Sequence, residues 1–204
     1  LLYNTYMNSI FAKKPFIVGI AGPSGAGKSV LCKALQSTLP NVSRLKLDDF
    51  FKNIEEVPRY MNWVHWDIPS SLNWDQLIQA AKDLKNGKHA MVPNYSRKEN
   101  KAVGEKCVFP SQIMLLDGFM TLYDARLRDL IDVSLFFDLP EDQQIKRRIQ
   151  RQPDVEEGYL HHIMIPCARK YIMPSKNYAD HIIDAEKSPE KVAQDCTTII
   201  KKTI

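Results

Sequence analysis

Eight consecutive residues, Gly22-Pro23-Ser24-Gly25-Ala26-Gly27-Lys28-Ser29, restrict the fold of this 204-residue chain more than any others. They satisfy G-x-x-x-x-G-K-[ST] at every fixed position, and their flanks suit the pattern. Phe16-Ile17-Val18-Gly19-Ile20-Ala21 is an apolar run of strand length, and Val30-Leu31-Cys32-Lys33-Ala34-Leu35 follows with helical spacing. Glycines let the main chain wrap closely and turn successive N–H groups toward phosphate oxygens. The helix behind them adds the positive end of its dipole. Lys28 brings a mobile cation for the β- and γ-phosphates, and the Ser29 hydroxyl is a hard oxygen ligand for Mg²⁺. Strand, glycine loop and helix in this order predict a site for a nucleoside triphosphate. Gly22, Ser24, Gly25, Ala26, Gly27, Lys28, Ser29 and Val30 are the expected nucleotide-contacting residues.

The rest of the composition adds bounds. Hydrophobic residues at 44% and charged residues at 25% are ordinary for a globular chain. A net charge of +4 is mild, and a polyphosphate site by itself gathers several cations, so no nucleic-acid partner is expected. Cys32, Cys107, Cys167 and Cys196 lie far apart with no C-x-x-C pair, which predicts reduced thiols in a cytoplasmic protein rather than a structural zinc. No run approaches bilayer length, so no membrane partner is expected. Residues 1–14 place their lysines after their apolar residues, unlike a signal peptide, and read as an N-terminal extension to one domain over 15–204.

Apolar strands alternate with helical stretches, the pattern of a parallel sheet covered on both faces. Strands are expected at 43–47, 112–116, 133–138 and 178–183. Helices are expected at 74–86, 141–151, 158–172 and 188–202, the third broken or kinked by Pro166, the last capped by Ser188 with Pro189 at its first position. In open α/β sheets ligands sit at the carboxyl ends of strands. The Gly22 loop, Asp48-Asp49 and Asp117 all fall there. Phosphoryl transfer to a hydroxyl needs a base, a metal and cations on the transferring group. The acidic turn supplies candidates for the first and Asp117 for the second. The run Lys146-Arg147-Arg148-Ile149-Gln150-Arg151 supplies the third, as part of a lid over about 146–160 that excludes water.

With these residues on the page, the chain resembles the uridine kinase family, which includes nicotinamide riboside kinases and phosphoribulokinase-like enzymes. The resemblance rests on the Gly22–Ser29 loop, Leu47-Asp48-Asp49-Phe50-Phe51-Lys52, Trp66-Asp67-Ile68-Pro69, Leu116-Asp117-Gly118-Phe119 and Arg147 to Arg151, and runs from about residue 16 to 183. It implies an α/β three-layer P-loop NTPase fold, mostly parallel, with helices on both faces and a small arginine-bearing lid. It also implies ATP and Mg²⁺ as cofactors and a nucleoside or related small molecule as acceptor. The family's general base falls on Asp48 and its ribose-binding aspartate on Asp67. Its metal-side strand-end acid falls on Asp117, alongside Ser29, and its lid arginines on Arg148 and Arg151, with Lys28 completing the catalytic set. Phe51, Trp66 and Tyr95 join Asp48 and Asp67 as acceptor-binding residues.

Two departures bear on the acceptor. Pro93-Asn94-Tyr95-Ser96-Arg97 resembles the uridine kinase P-x-Y-D-F segment, with Ser96 and Arg97 in place of its last two residues, and Asn100 stands where uridine kinases place a histidine. Gln152 to Tyr159 looks more like nicotinamide riboside kinases, so that activity stays open beside uridine kinase. A nucleotide-driven switch or ATPase is the rival class, disfavoured by the acceptor parts. Trp63 and Trp74 are expected as packing residues and His161-His162 as surface residues. The oligomeric state is left open, a homo-oligomer included.

Overall fold

The structure, a computed structural model, describes residues 14–204. Of the expected extension, residues 1–13 lie outside the described residues. Strand β1 (Phe16–Ala21) leads to α1 (Lys28–Thr38) and then to β2 (Val42–Lys46), which runs into a 3₁₀ turn, Leu47–Phe50. A two-stranded ribbon, β3 (Arg59–Tyr60) and β4 (Trp63–Val64), precedes α2 (Trp74–Lys85). An antiparallel hairpin, β5 (Ala90–Ser96) and β6 (Lys101–Val108), comes next, followed by β7 (Ile113–Asp117) and the short α3 (Ala125–Arg128). After β8 (Val133–Asp138) and α4 (Glu141–Arg151), a helical stretch runs over 157–172. Then come β9 (His181–Asp184) and α5 (Pro189–Thr203).

The main sheet has five strands in the order β2-β7-β1-β8-β9, every pair parallel. Period-two alternation sorts its side chains into two cores. Ile17, Leu45, Met114 and Leu116 face α2 and the end of the 157–172 stretch. Val18, Ile20, Ile113, Leu115 and Leu135 face α1 and α5. Helices on both faces of a buried parallel sheet make the three-layer α/β arrangement expected from the sequence. Among the described residues no helix is long and apolar enough to cross a membrane.

Several boundaries shift for physical reasons. The last strand starts at His181 rather than 178, because residues 173–178 form a 3₁₀ turn. Asp180 then accepts hydrogen bonds from the Ser134 N–H (2.8 Å) and hydroxyl (2.7 Å), and the chain joins the sheet only beyond that anchor. Pro166 does not end its helix. The stretch passes through it as π turns, Leu160–Met164 and Ala168–Ile172, around a short α segment, and a π turn accommodates the missing N–H. Ser188 caps α5 by accepting from the Lys191 N–H at 3.3 Å.

Candidate active site

The loop between β1 and α1 is built by backbone conformations that only glycine adopts readily. Gly22 has φ 134°, and a Cβ there would stand 2.5 Å from the Phe137 carbonyl oxygen of β8. Gly27 caps α1 at φ 88° with no side-chain hydrogen bond, which leaves the first N–H groups of the helix to the cavity. Ala26 is buried in the α1-side core and pins the loop from below, while Ser29 and Val30 are exposed. The Lys28 ammonium donates to the carbonyls of Gly22 (2.7 Å) and Pro23 (2.8 Å). Desolvation pulls its pKa down, opposed by the charges of Asp117 and Asp48.

Asp117 ends β7, beside β1, and is only 5% exposed. It ion-pairs with Arg44 of β2, and the same Arg44 Nη2 donates to Ser29 Oγ at 2.9 Å. Asp117 Oδ1 is buried with no hydrogen-bond partner. The Cys32 thiol lies nearby and is pushed up to about 12 by burial and by Asp117, so it stays protonated.

The two acids of the 3₁₀ turn point to different tasks. Asp48 lines the cavity and ion-pairs with Arg97, just beyond β5. Asp49 is 7% exposed and pairs with Lys106 of β6 at 2.8 Å, tying the turn to the hairpin. Behind Asp48, the Phe51 ring meets Trp66 edge-on at 5.5 Å, Tyr95 at 5.8 Å and Phe119 stacked at 6.0 Å, and Arg97 lies over its face at 5.8 Å. Tyr95 Oη is buried without a partner. Asp67 accepts a hydrogen bond from Tyr159, the first residue beyond Gly158 in the 157–172 stretch. Burial raises the Asp67 pKa, held back by that hydrogen bond and by Arg148.

The arginines of α4 divide similarly. Arg147 is a strut: it donates to the carbonyls of Gly25 (3.2 Å) and Ala185 (2.9 Å). Arg151 donates to Ser24 Oγ at 3.1 Å, and Arg148 Nε is buried without a partner. Desolvation, and then Arg148 and Arg97, lower the Arg151 pKa.

All the residues expected at the site except Gly22 line one cavity of about 1170 Å³, and Gly22 forms the loop beneath it. Trp63 packs as expected, half-buried and stacked on His162 with ring centroids 6.2 Å apart, and it also lines that cavity. Trp74 does pack, its Nε1 donating to the Pro69 carbonyl at 2.7 Å. Sequence reasoning passed over Arg44 and Tyr159. Arg44 gave no signal, since alternation with Leu45 sets it on the polar face of β2 with the exposed Lys46. Among the described residues no group of three or more His, Cys, Asp or Glu could hold a metal ion by itself. At the phosphate-loop end of the cavity Asp117 and Ser29 are the carboxylate and hydroxyl that Arg44 joins.

Comparisons with known proteins bear on the family and the fold. A model described as the phosphoribulokinase / uridine kinase family matches residues 17–191. The uridine kinase of Streptococcus equi subsp. zooepidemicus is 32% identical over 84% of this chain and 88% of its own. Uridine-cytidine kinase A of Dictyostelium discoideum is 31% identical over 84% of this chain. The chain spans only 36% of the length of that relative. A solved structure described as a possible uridine kinase from Bacillus stearothermophilus superposes with a TM-score of 0.58 at 19% identity, over 89% of this chain and 96% of that one.

Proposed function

The chain belongs to the phosphoribulokinase / uridine kinase family, and we propose that it is an ATP-dependent kinase that phosphorylates the 5′-hydroxyl of a ribonucleoside. The observation that carries this reading is the shared cavity. A phosphate loop with Lys28, an acid held by Arg97 at the cavity wall (Asp48) and a second acid for the acceptor hydroxyls (Asp67) line the same space. Asp48 takes the proton of the acceptor hydroxyl as its oxygen bonds to the γ-phosphorus, and the bond to the bridging oxygen breaks to release ADP. For this Arg97 must swing off Asp48. Lys28, Arg148 and Arg151 neutralise charge on the transferring group, and the loop N–H groups hold the phosphates in line. Asp67 accepts from the ribose hydroxyls, while Phe51, Trp66 and Tyr95 wall the base. Ser29 and Asp117 would hold Mg²⁺, which neutralises phosphate charge when bound; the unpartnered Asp117 Oδ1 fits that role. Residues 146–160 act as the lid of a single kinase domain.

A second acceptor class has its own support. Ser96, Arg97 and Asn100 depart from the uridine kinase pattern, and Arg97 reaches into the acceptor half of the cavity. Nicotinamide riboside or another hydroxyl compound is therefore the alternative within the same chemistry. A switch would leave Asp67 and Tyr95 without a task. The test is a panel of ribonucleosides, nicotinamide riboside and sugar alcohols with ATP and Mg²⁺, read as ADP formed. Turnover on a ribosyl compound supports the reading, and acceptor-independent ATP hydrolysis alone removes it.

A further inference from the structure

Arg44 is a charged side chain that the fold largely covers. It stands on β2, which pairs with β7 from Val42↔Ile113 to Lys46↔Asp117. Its neighbour Leu45 enters the α2-side core, so Arg44 lies on the opposite face, beneath the start of α1. Its side chain is only 11% exposed. A buried guanidinium is destabilising unless charge and hydrogen bonds compensate it. The compensation comes from the two groups assigned above to the metal: Nη2 ion-pairs with Asp117 and donates to Ser29 Oγ at 2.9 Å. One cationic group thus spans the hydroxyl and the carboxylate.

We propose that Arg44 is a built-in counter-cation for the metal-side acid. It holds Ser29 and Asp117 together before nucleotide binds and denies a divalent ion a site until phosphate oxygens bring one. The inference rests on the reading of Ser29 and Asp117 as metal-side groups. The physical case is one of sign and supply. A single carboxylate and a hydroxyl are a sparse ligand set for a cation that gives up water reluctantly, and a guanidinium on that carboxylate repels a second positive charge. When phosphates arrive they supply oxygens and negative charge, and Arg44 can remain on the outer oxygen of Asp117 or turn to phosphate. Arg44 is in this account a positioning residue.

The test follows Mn²⁺ binding to the full chain without nucleotide or acceptor, by electron paramagnetic resonance of the free ion. Arg44→Met should bind Mn²⁺ about ten-fold more tightly than wild type, the repelling charge being gone. Arg44→Lys keeps a cation and should stay within about three-fold of wild type, and the gap between Arg44→Met and wild type should narrow in saturating ADP. Arg44→Gln, which loses the charge but keeps a polar group, must show the same gain if Arg44→Met does not fold. Equal Mn²⁺ affinity in wild type and either folded neutral variant overturns the proposal, as does a gain in Arg44→Lys equal to that in Arg44→Met. These measurements need no turnover. A neutral variant that gains no affinity while wild type still forms ADP on an acceptor refutes the counter-cation alone; absence of acceptor-dependent ADP refutes the kinase reading alone.

Discussion

Tyr159→Phe removes one oxygen from the acceptor half of the cavity and separates two consequences. In the wild type that hydroxyl donates to Asp67, a carboxyl whose burial raises its pKa. A hydrogen bond to a charged group contributes about 1.5–3 kcal/mol. Both partners are only half-buried, so water recovers part of the loss and about 1–2 kcal/mol remains. For a chain of this size that lowers Tm by about 2–8 °C. The acceptor should respond in the opposite direction. On the proposed reading ribose hydroxyls and Tyr159 compete for one carboxylate, so removing the competitor should lower KM for a ribonucleoside by about five- to thirty-fold. The kcat should stay within about two-fold, because Asp48 and Lys28 are untouched. Thermal melts followed by circular dichroism and steady-state ADP formation measure the two effects. An unchanged Tm would refute a stabilising Tyr159–Asp67 bond, and a raised KM would refute the competition by making Tyr159 itself an acceptor contact.

Three further outcomes follow from the same geometry. Lys28→Ala should abolish turnover, a loss of several kcal/mol of transition-state stabilisation, with the melt of the folded protein little changed; near wild-type rates in a folded variant would contradict the phosphate role. Asp48→Asn should lower kcat by about two to four orders of magnitude with ATP affinity retained. Asp49→Asn, which unties Lys106, should instead lower Tm and leave kcat within a few-fold. Asp67→Asn should be more stable than wild type at neutral pH by about 1 kcal/mol while losing acceptor affinity. The sign follows from a folded-state pKa raised above the ordinary 3.8: the fold binds that proton more tightly than the unfolded chain, so wild-type stability falls as pH rises from 3.8 through the raised value. Urea melts from pH 4 to pH 8 should therefore converge at the acid end and diverge at the other; parallel curves would remove the buried charge from the account.

What could be read from the sequence was what is local. β8 (Val133–Asp138) and α4 (Glu141–Arg151) fall where their patterns place them, because a buried apolar run and a sharply amphipathic stretch each carry their own boundaries. The β5–β6 hairpin was not legible. Pro93 interrupts its first strand, and the second, Lys101–Val108, is largely exposed and has no apolar alternation to betray it. Its pairing with β5 is what makes it a strand. The same division runs through the site. The phosphate loop and the acids at strand ends announce themselves by spacing and setting. The partners of those acids do not: Arg97 on Asp48, Tyr159 on Asp67 and Arg44 on Asp117 join residues far apart in sequence, and no local pattern encodes which cation or hydroxyl will meet which carboxylate.

The sheet order also governs when the nucleotide site comes into being. β1 lies between β7 and β8, both synthesised about a hundred residues after it. The loop that follows β1 leans on Phe137 at Gly22 and is strapped by Arg147 at Gly25, so its shape depends on chain not yet made when it leaves the ribosome. A nascent chain ending before residue 147 carries the whole glycine motif without the Arg147 contact that straps Gly25. Until β7 and β8 are made, Phe16–Ala21 is an apolar segment without its two sheet partners, the kind that chaperones shield and that aggregates when they do not. On the proposed reading nucleotide would stabilise most the chains already extended through α4, so ATP would act late on nearly folded molecules rather than guide early folding.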